Sequence, residues 1–267
     1  MMPGMVASEG YFAASTKERA HELIAALRDK NSGAVICTRG GYGAAYLLDG
    51  KGIPRGLQPK MLLGYSDITA LDAYLWEKFR WVTFYGPMIA TDICAGADVE
   101  HGYDSASLRR ALTQTRGGWA LELEGESLAA GDAKGVILGG CLTLLETTIG
   151  TPWELDTRGA ILLLEDRGVK PYQVDRMLTH LRQAGKFTKV RGLVWGEFPD
   201  CAPTKEGSPT VREIAHRICA PLRIPMVWGA RIGHTPRPIL TVPLGIRGRL
   251  RARGSGTLEI LEPAVRA

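Results

Sequence analysis

The sequence has few cysteines, no long hydrophobic run and no block of basic residues. Its five cysteines are scattered and include no C-x-x-C pair, which indicates reduced thiols in a cytosolic protein rather than a disulfide framework or a zinc site. No stretch approaches the roughly 18 apolar residues that a membrane-spanning helix needs. Met1 to Met5 carry neither the basic nor the apolar region of a secretion signal. These features predict a cytoplasmic protein without a metal site or a membrane contact.

The positive charge of the chain is mild. The formal net charge is +5, and much of the excess comes from a tail in which Arg247, Arg249, Arg251 and Arg253 alternate with apolar or small residues. Such alternation is typical of the solvated face of a strand. Because no aromatic platform or basic block accompanies these arginines, nucleic-acid binding is not predicted.

Short apolar runs alternate with helical patterns along the first half of the chain. The runs Ala34 to Cys37, Met61 to Leu63 and Trp81 to Tyr85 have the composition of buried strands. The segments Ser15 to Lys30 and Ile68 to Phe79 read as helices. This order predicts an α/β fold with a doubly wound, mostly parallel sheet. Since the first predicted element is a helix, the sheet is expected to lack its first strand.

The second half of the chain reads as a mixed α/β domain. The runs Ile161 to Leu164 and Gly192 to Trp195 predict strands, and Tyr172 to Ala184 predicts the helix between them. The glycine- and glutamate-rich segment from Thr115 to Lys134 is interpreted as a crossover between domains. The predicted organisation is a first α/β domain at residues 1–115, a linker at 116–134 and a C-terminal α/β domain at 135–267.

The segment Gly64-Tyr65-Ser66-Asp67-Ile68-Thr69 is the most informative motif. An apolar run enters a glycine, a serine follows, and a helical pattern begins directly afterwards. Strand, tight turn and helix in this order can present a serine hydroxyl as a nucleophile elbow does, although Ile68 stands where the second glycine of G-x-S-x-G would be. The alternative is that Ser66 or Asp67 only caps the helix.

A serine nucleophile needs a base, and His234 is the strongest candidate. It lies in a loop bracketed by glycine and proline just beyond a strand-like run, and such loops often carry catalytic side chains. The other histidines fall in helical patterns or a polar loop and are interpreted as structural or solvated; they are His21, His101, His180 and His216.

The acid that would orient the base is Glu165 or Asp166. Both follow a fully apolar strand, where a carboxylate is costly to bury without partners. A catalytic role, a helix cap and a magnesium site would each provide such partners. Glu165 continues the strand directly and is therefore the better candidate for orienting an imidazole.

A glycine loop follows the strand that ends near Cys37. Gly40, Gly41 and Gly43 precede a helical pattern, as in a phosphate cradle. The loop lacks the Walker lysine and the spacing of the dinucleotide fingerprint, so no nucleotide cofactor is predicted. The same backbone could direct an N–H at an oxyanion, or it could simply form a tight turn.

Taken in order, these motifs resemble the LD-carboxypeptidases, serine peptidases that include muramoyltetrapeptide carboxypeptidases and microcin-immunity hydrolases. The resemblance covers nearly the whole chain. The matching segments are Gly10-Tyr11-Phe12-Ala13, Arg39-Gly40-Gly41-Tyr42-Gly43, Pro59-Lys60, Gly64-Tyr65-Ser66-Asp67-Ile68-Thr69, Gly86-Pro87-Met88, Gly139-Gly140-Cys141-Leu142, Leu164-Glu165-Asp166, Pro171-Tyr172, Asp175-Arg176-Met177-Leu178 and Ile232-Gly233-His234.

The resemblance implies a catalytic triad of Ser66, Glu165 and His234 without a metal or cofactor. It also implies an oxyanion hole formed by the N–H of Asp67 and an N–H of Gly40 or Gly41. Two positions depart from the family pattern. Val169 replaces an acidic residue that often follows the Glu-Asp pair, and Cys141 stands where asparagine is common.

The activity implied by the resemblance is hydrolysis of the L,D-amide bond of murein tetrapeptides in the cytoplasm, which releases terminal D-alanine during cell-wall recycling. An immunity-type hydrolase of peptidyl- or aminoacyl-nucleotide conjugates, using the same triad, is the alternative enzyme. Because the family pattern begins with a strand upstream of Met1, a truncated, non-catalytic binding protein is a third hypothesis. Family members often form dimers, so a homodimer is the candidate assembly.

Overall fold

The computed structural model describes residues 10, 12–49 and 52–266. Tyr11, which belongs to the first of the matching segments, and residues Met1 to Met5, which were inspected for a secretion signal, lie outside these described residues. Two β-sheets with helices packed against them form the fold. The prediction of a mixed α/β protein with parallel strands is therefore confirmed. No helix in the described part of the chain is long and apolar enough to cross a membrane.

The smaller sheet has four strands in the order β1-β2-β3-β10. The first three are parallel and β10 is antiparallel to β3. The bounds of the strands are Ala34–Ile36 for β1, Met61–Gly64 for β2, Thr83–Tyr85 for β3 and Val242–Leu244 for β10. Three helices accompany this sheet: α1 (Thr16–Arg28), α2 (Thr69–Phe79) and α3 (Ser105–Thr113).

The larger sheet has eight strands in the order β4-β12-β11-β6-β7-β8-β9-β5. Its centre, from β6 to β9, is parallel, and the strands on both sides pair antiparallel. The bounds are Trp119–Glu122 (β4), Glu126–Ala129 (β5), Gly131–Cys141 (β6), Ala160–Glu165 (β7), Gly192–Gly196 (β8), Met226–Ala230 (β9), Arg247–Ala252 (β11) and Thr257–Ile260 (β12).

Helices α4 (Leu142–Thr147), α5 (Pro171–Gln183) and α6 (Val211–Cys219) pack on the larger sheet. Every residue of β7 is buried, as the continuous apolar run predicted for a central parallel strand. Val174 and Leu178 of α5 share a core with Leu162 of β7. The end of β7 is therefore fixed by packing on both sides of the sheet.

Residues 116–134, the predicted linker, contain β4, β5 and the beginning of β6. In β4, Trp119 and Leu121 are buried while Glu122 is exposed. The segment therefore has the alternating burial of a strand, although its glycine and glutamate content led to its interpretation as a linker. β10 belongs to the second half of the chain but completes the smaller sheet. The division into residues 1–115 and 135–267 stays a prediction.

The arginine-rich tail forms the half-exposed strand β11, as predicted. Gly248, Leu250 and Ala252 are buried, whereas the arginines between them lie toward solvent. Asp132 of β6 forms ion pairs with Arg249, Arg251 and Arg253, and Glu259 of β12 pairs with Arg251. These carboxylates offset much of the local positive charge.

Candidate active site

Ser66 occupies a strained turn between β2 and α2. Its φ is 64°, in the left-handed region that residues other than glycine rarely adopt. A single 3₁₀ turn, Ser66–Ile68, leads directly into the helix. Ile68 is the N-cap of α2 and no side chain caps it, so the helix-capping interpretation of Ser66 and Asp67 is wrong. The turn has the strand-to-helix reversal of a nucleophile elbow.

The glycine loop lies directly against Ser66. A Cβ atom at position 40 would be 2.8 Å from Cβ of Ser66 and 3.0 Å from its Oγ, so only glycine allows this approach. Gly41 has φ +104°, which also favours glycine. Gly40 and Gly41, the alternative glycine donors of the predicted oxyanion hole, therefore belong to a loop that reaches the serine at Gly40.

Asp67 joins this loop to the turn. Its Oδ2 accepts a hydrogen bond from the backbone N–H of Ala44 at 2.7 Å, and the carboxyl is buried. Burial raises the pKa of Asp67, against the hydrogen bonds from Ala44 and Gly43 that lower it. The side chain thus has a local structural partner, which leaves its backbone N–H as the group of interest for an oxyanion.

Glu165 and His234 are in direct contact. Glu165 is fully buried at the end of β7. Its Oε2 accepts the backbone N–H of His234 at 2.9 Å and lies 2.7 Å from Nδ1 of the same residue. Because a carboxylate can only accept, Nδ1 carries the proton and Nε2 is the free base in the neutral ring.

The electrostatic surroundings favour a charged imidazole. Burial lowers the pKa of His234, but the negative charge of Glu165 and the hydrogen bond to it raise the pKa, and the net shift is upward. The ring packs edge-to-face against Tyr65, with 5.1 Å between the ring centroids. His234 is therefore held in one orientation and can take up a proton that Glu165 stabilises.

Asp166, the alternative acid, has a different role. Its Oδ2 accepts the backbone N–H and the hydroxyl of Thr143 at 2.8 and 2.6 Å, and its Oδ1 accepts the N–H of Arg167. These bonds hold the beginning of α4. Glu165, and not Asp166, contacts the histidine. No group of three or more histidine, cysteine, aspartate or glutamate side chains is arranged to hold a metal within the described ranges.

The two departures from the family pattern lie in packed surroundings. Cys141 is buried, its N–H donates to Oγ1 of Thr69 at 3.0 Å, and burial raises the pKa of its thiol well above the ordinary range. Val169 is partly buried and packs against the core of the larger-sheet region. Neither side chain contributes a charge beside Glu165.

Sequence reasoning missed Tyr85, which ends β3 and is fully buried. Its hydroxyl lies 2.5 Å from Oε1 of Glu165, and the backbone N of Ser66 lies 3.3 Å from the same hydroxyl. The signal that could have identified it is its position at the carboxyl end of the strand that neighbours β2, where sites of parallel sheets form.

Comparison with known proteins agrees with this architecture. Residues 1–86 match the LD-carboxypeptidase N-terminal domain and residues 134–250 match the LD-carboxypeptidase C-terminal domain. A probable murein peptide carboxypeptidase of Bacillus subtilis is 37% identical, over 90% of this chain and 76% of its own length. The murein tetrapeptide carboxypeptidase of Pseudomonas aeruginosa is 30% identical, over 84% of this chain and 74% of its own.

Solved structures share the fold. A muramoyltetrapeptide carboxypeptidase from Oxalobacter formigenes superposes with a TM-score of 0.81 at 29% identity, covering 96% of this chain and 88% of that protein. The MccF protein in complex with glutamyl sulfamoyl guanosine also gives 0.81, at 23% identity, covering 96% and 84%. The chain therefore belongs to the LD-carboxypeptidase family, whose two domains it matches in order.

Proposed function

We propose that the protein is a serine-type LD-carboxypeptidase that removes terminal D-alanine from murein tetrapeptides. The observation that carries the proposal is the contact between Glu165 and His234 beside a serine held at φ 64°. The names of the relatives from Bacillus subtilis and Pseudomonas aeruginosa support murein peptides as the substrate class. The predicted cytoplasmic location and a homodimeric assembly belong to the same proposal.

In the proposed first step, Oγ of Ser66 attacks the carbonyl carbon of the L,D-amide bond. Nε2 of His234 takes the hydroxyl proton, so that a tetrahedral intermediate and an imidazolium form together. Collapse of the intermediate breaks the C–N bond. The imidazolium proton passes to the leaving nitrogen, and D-alanine departs while the remaining peptide stays as an ester on Ser66.

In the second step, water hydrolyses the ester. Nε2 of His234 removes a proton from the water, whose oxygen attacks the ester carbonyl. The proton then returns to Oγ of Ser66 as the ester bond breaks. The products are the shortened peptide and the free enzyme. These two reaction steps balance without a metal or a redox partner.

Glu165 acts through His234 in both steps. Its Oε2 accepts a hydrogen bond from the protonated Nδ1 at 2.7 Å. This hydrogen bond selects the tautomer with a free Nε2 and stabilises the imidazolium once it forms. The backbone N–H of Asp67 and that of Gly40 or Gly41 would hold the developing oxyanion. The close approach of Gly40 to Oγ of Ser66 supports this assignment.

Hydrolysis of a nucleotide conjugate is the second candidate function. The similarity to MccF, with a TM-score of 0.81, motivates it. The same serine mechanism would apply, with the difference residing in the pocket that receives the leaving group. The third hypothesis, a non-catalytic binding protein, gives no reason for a strained serine next to a buried carboxylate–imidazole pair.

The deciding experiment measures two products by mass spectrometry, using purified wild-type protein and Ser66→Ala. One reaction contains murein tetrapeptide and reports D-alanine; the other contains glutamyl sulfamoyl guanosine, the ligand of the MccF structure, and reports the free nucleoside sulfamate. We expect D-alanine from the wild type and none from Ser66→Ala. Release of the nucleoside alone would transfer the assignment to the conjugate hydrolase. Absence of both products from folded wild-type protein would favour the binding protein.

A further inference from the structure

The hydroxyl of Tyr85 lies between the two halves of the candidate site. It is 2.5 Å from Oε1 of Glu165, and the backbone N of Ser66 is 3.3 Å away from it. Tyr85 has no exposed surface, and neither has Glu165. The three groups come from different places in the fold: the ends of β3 and β7, and the turn after β2. One hydroxyl therefore connects the smaller sheet to the larger one at the site.

The direction of the two hydrogen bonds is fixed by their chemistry. An ionised carboxylate has no proton to donate, so the phenol O–H donates to Oε1 of Glu165. The phenol oxygen then accepts the backbone N–H of Ser66. Burial and the charge of Glu165 raise the pKa of Tyr85 well above its ordinary value. The phenol consequently keeps its proton at neutral pH and can donate to the carboxylate.

This arrangement divides the two oxygens of Glu165 between two partners. Oε1 accepts a hydrogen bond from the hydroxyl of Tyr85, whereas Oε2 accepts hydrogen bonds from the backbone N–H and from Nδ1 of His234. Rotation of the carboxylate about its last bond would break all three contacts. The hydroxyl oxygen of Tyr85 also accepts a hydrogen bond from the backbone N–H of Ser66, the strained residue with φ 64°.

We infer that Tyr85 is a positioning residue, whose hydroxyl sets the nucleophile turn and the Glu165–His234 pair at a fixed separation. This role rests on the proposed serine mechanism and adds to it a fourth residue that does not touch the substrate. The hydroxyl acts at both ends: it orients the carboxylate that orients the base, and it anchors the backbone that carries Oγ. Loss of the hydroxyl should therefore loosen the geometry between nucleophile and base.

The test replaces Tyr85 with phenylalanine and compares it with Tyr74→Phe. Tyr74 is also a buried tyrosine of the smaller-sheet region, and its ring packs against Phe79 and Trp153 away from the site. With murein tetrapeptide, we expect kcat of Tyr85→Phe to fall by about 10²-fold while KM stays within about twofold. Tyr74→Phe should retain wild-type kcat. Circular dichroism and thermal melting establish that both variants are folded.

The pH dependence supplies a readout that a merely structural role would not move. Without the donated hydrogen bond, more of the negative charge of Glu165 is available to the imidazolium of His234. The acid limb of the kcat/KM profile should therefore move to higher pH in Tyr85→Phe. Incorporation of 3-fluorotyrosine at position 85 keeps the ring and the hydroxyl but makes the phenol a stronger donor. This protein should show the opposite movement, toward lower pH.

The outcomes separate this inference from the function on which it rests. A folded Tyr85→Phe protein with the kcat and pH profile of Tyr74→Phe would overturn the positioning role. If Tyr85→Phe does not fold, the 3-fluorotyrosine protein decides, and an unmoved acid limb overturns the role. Full activity of Ser66→Ala, in contrast, would overturn the serine mechanism itself, whatever the result at position 85.

Discussion

Gly233 lies so close to Glu165 that no side chain fits between them. A Cβ atom at position 233 would be 2.7 Å from Oε1 of Glu165 and nearer still to its carboxyl carbon. The next residue, His234, bonds Oε2 of the same carboxylate through its backbone N–H and through Nδ1. The glycine therefore allows the histidine loop to approach the end of β7.

Gly233→Ala should separate the carboxylate from the imidazole. We expect kcat to fall by about 10²-fold and the free energy of unfolding to fall by about 1–3 kcal/mol, because φ of +64° also strains alanine. Gly229→Ala is the matched control, since Gly229 has φ +73° but open space around its Cα. Steady-state kinetics and denaturant unfolding check both variants. Equal kcat in the two proteins would contradict the importance of this contact.

Gly40→Ala should impair the nucleophile directly. A methyl group at this position would lie 2.8 Å from Cβ of Ser66, so either the serine or the glycine loop must shift. We expect a loss of kcat of about 10²-fold. In Gly33→Ala the new methyl group would meet only the end of Met61, at 3.8 Å, and kcat should remain unchanged. The prediction is refuted by a Gly40→Ala protein that turns over at the wild-type rate.

In the proposed mechanism His234 must be neutral to act as the base, so the activity should depend on pH through this residue. Its pKa is raised by Glu165 above the ordinary value of about 6.5, so the midpoint of the acid limb of kcat/KM should lie above that value. Glu165→Gln removes the negative charge and should shift the midpoint to lower pH while lowering kcat by about 10³–10⁴-fold. Unmoved midpoints in this variant would show that another group controls the limb.

Asp72 should make the protein less stable as the pH rises. The carboxyl lies on α2 and is 4% exposed, and burial raises its pKa to about 8. Between the unfolded pKa of about 3.9 and the folded pKa, the folded state binds more protons. The free energy of unfolding therefore falls with rising pH, by up to about 1.4 kcal/mol per unit.

Asp72→Asn removes this dependence. Relative to wild type, the variant should gain stability as the pH is raised from about 5 to about 8. Urea unfolding at several pH values measures the difference in the free energy of unfolding. Parallel curves for the two proteins would show that Asp72 is ionised in the folded state.

Local pattern located many of the helices and strands and marked several candidate residues, but it did not assemble the site. The apolar run before Gly64 and the helical pattern after Ile68 enclose the turn of Ser66, because strand, turn and helix are adjacent in sequence. Glu165 was found in the same way, since a carboxylate that continues a fully apolar strand has to be partnered. The combination of Ser66, Glu165 and His234 came from the family resemblance.

Long-range pairing accounts for what the sequence concealed. Tyr85 reads as an ordinary strand residue until β2 and β3 pair and bring it beside Ser66. β10 pairs with β3 although more than 150 residues of chain separate the two strands. No local hydrophobic pattern reveals this pairing. The need for glycine at position 233 likewise depends on Glu165, which is far away in sequence. Such contacts exist only once segments that are distant in sequence have paired and packed together.

The most direct test of the proposed mechanism is the mass of the enzyme itself during turnover. Protein mixed with murein tetrapeptide is quenched in acid after a short interval, digested and analysed for a peptide carrying the acyl group. We predict a tripeptide ester on Ser66 in the wild type, formed as D-alanine is released, and no adduct in Ser66→Ala. Release of D-alanine by Ser66→Ala, or an acyl group on any other residue, would contradict the account.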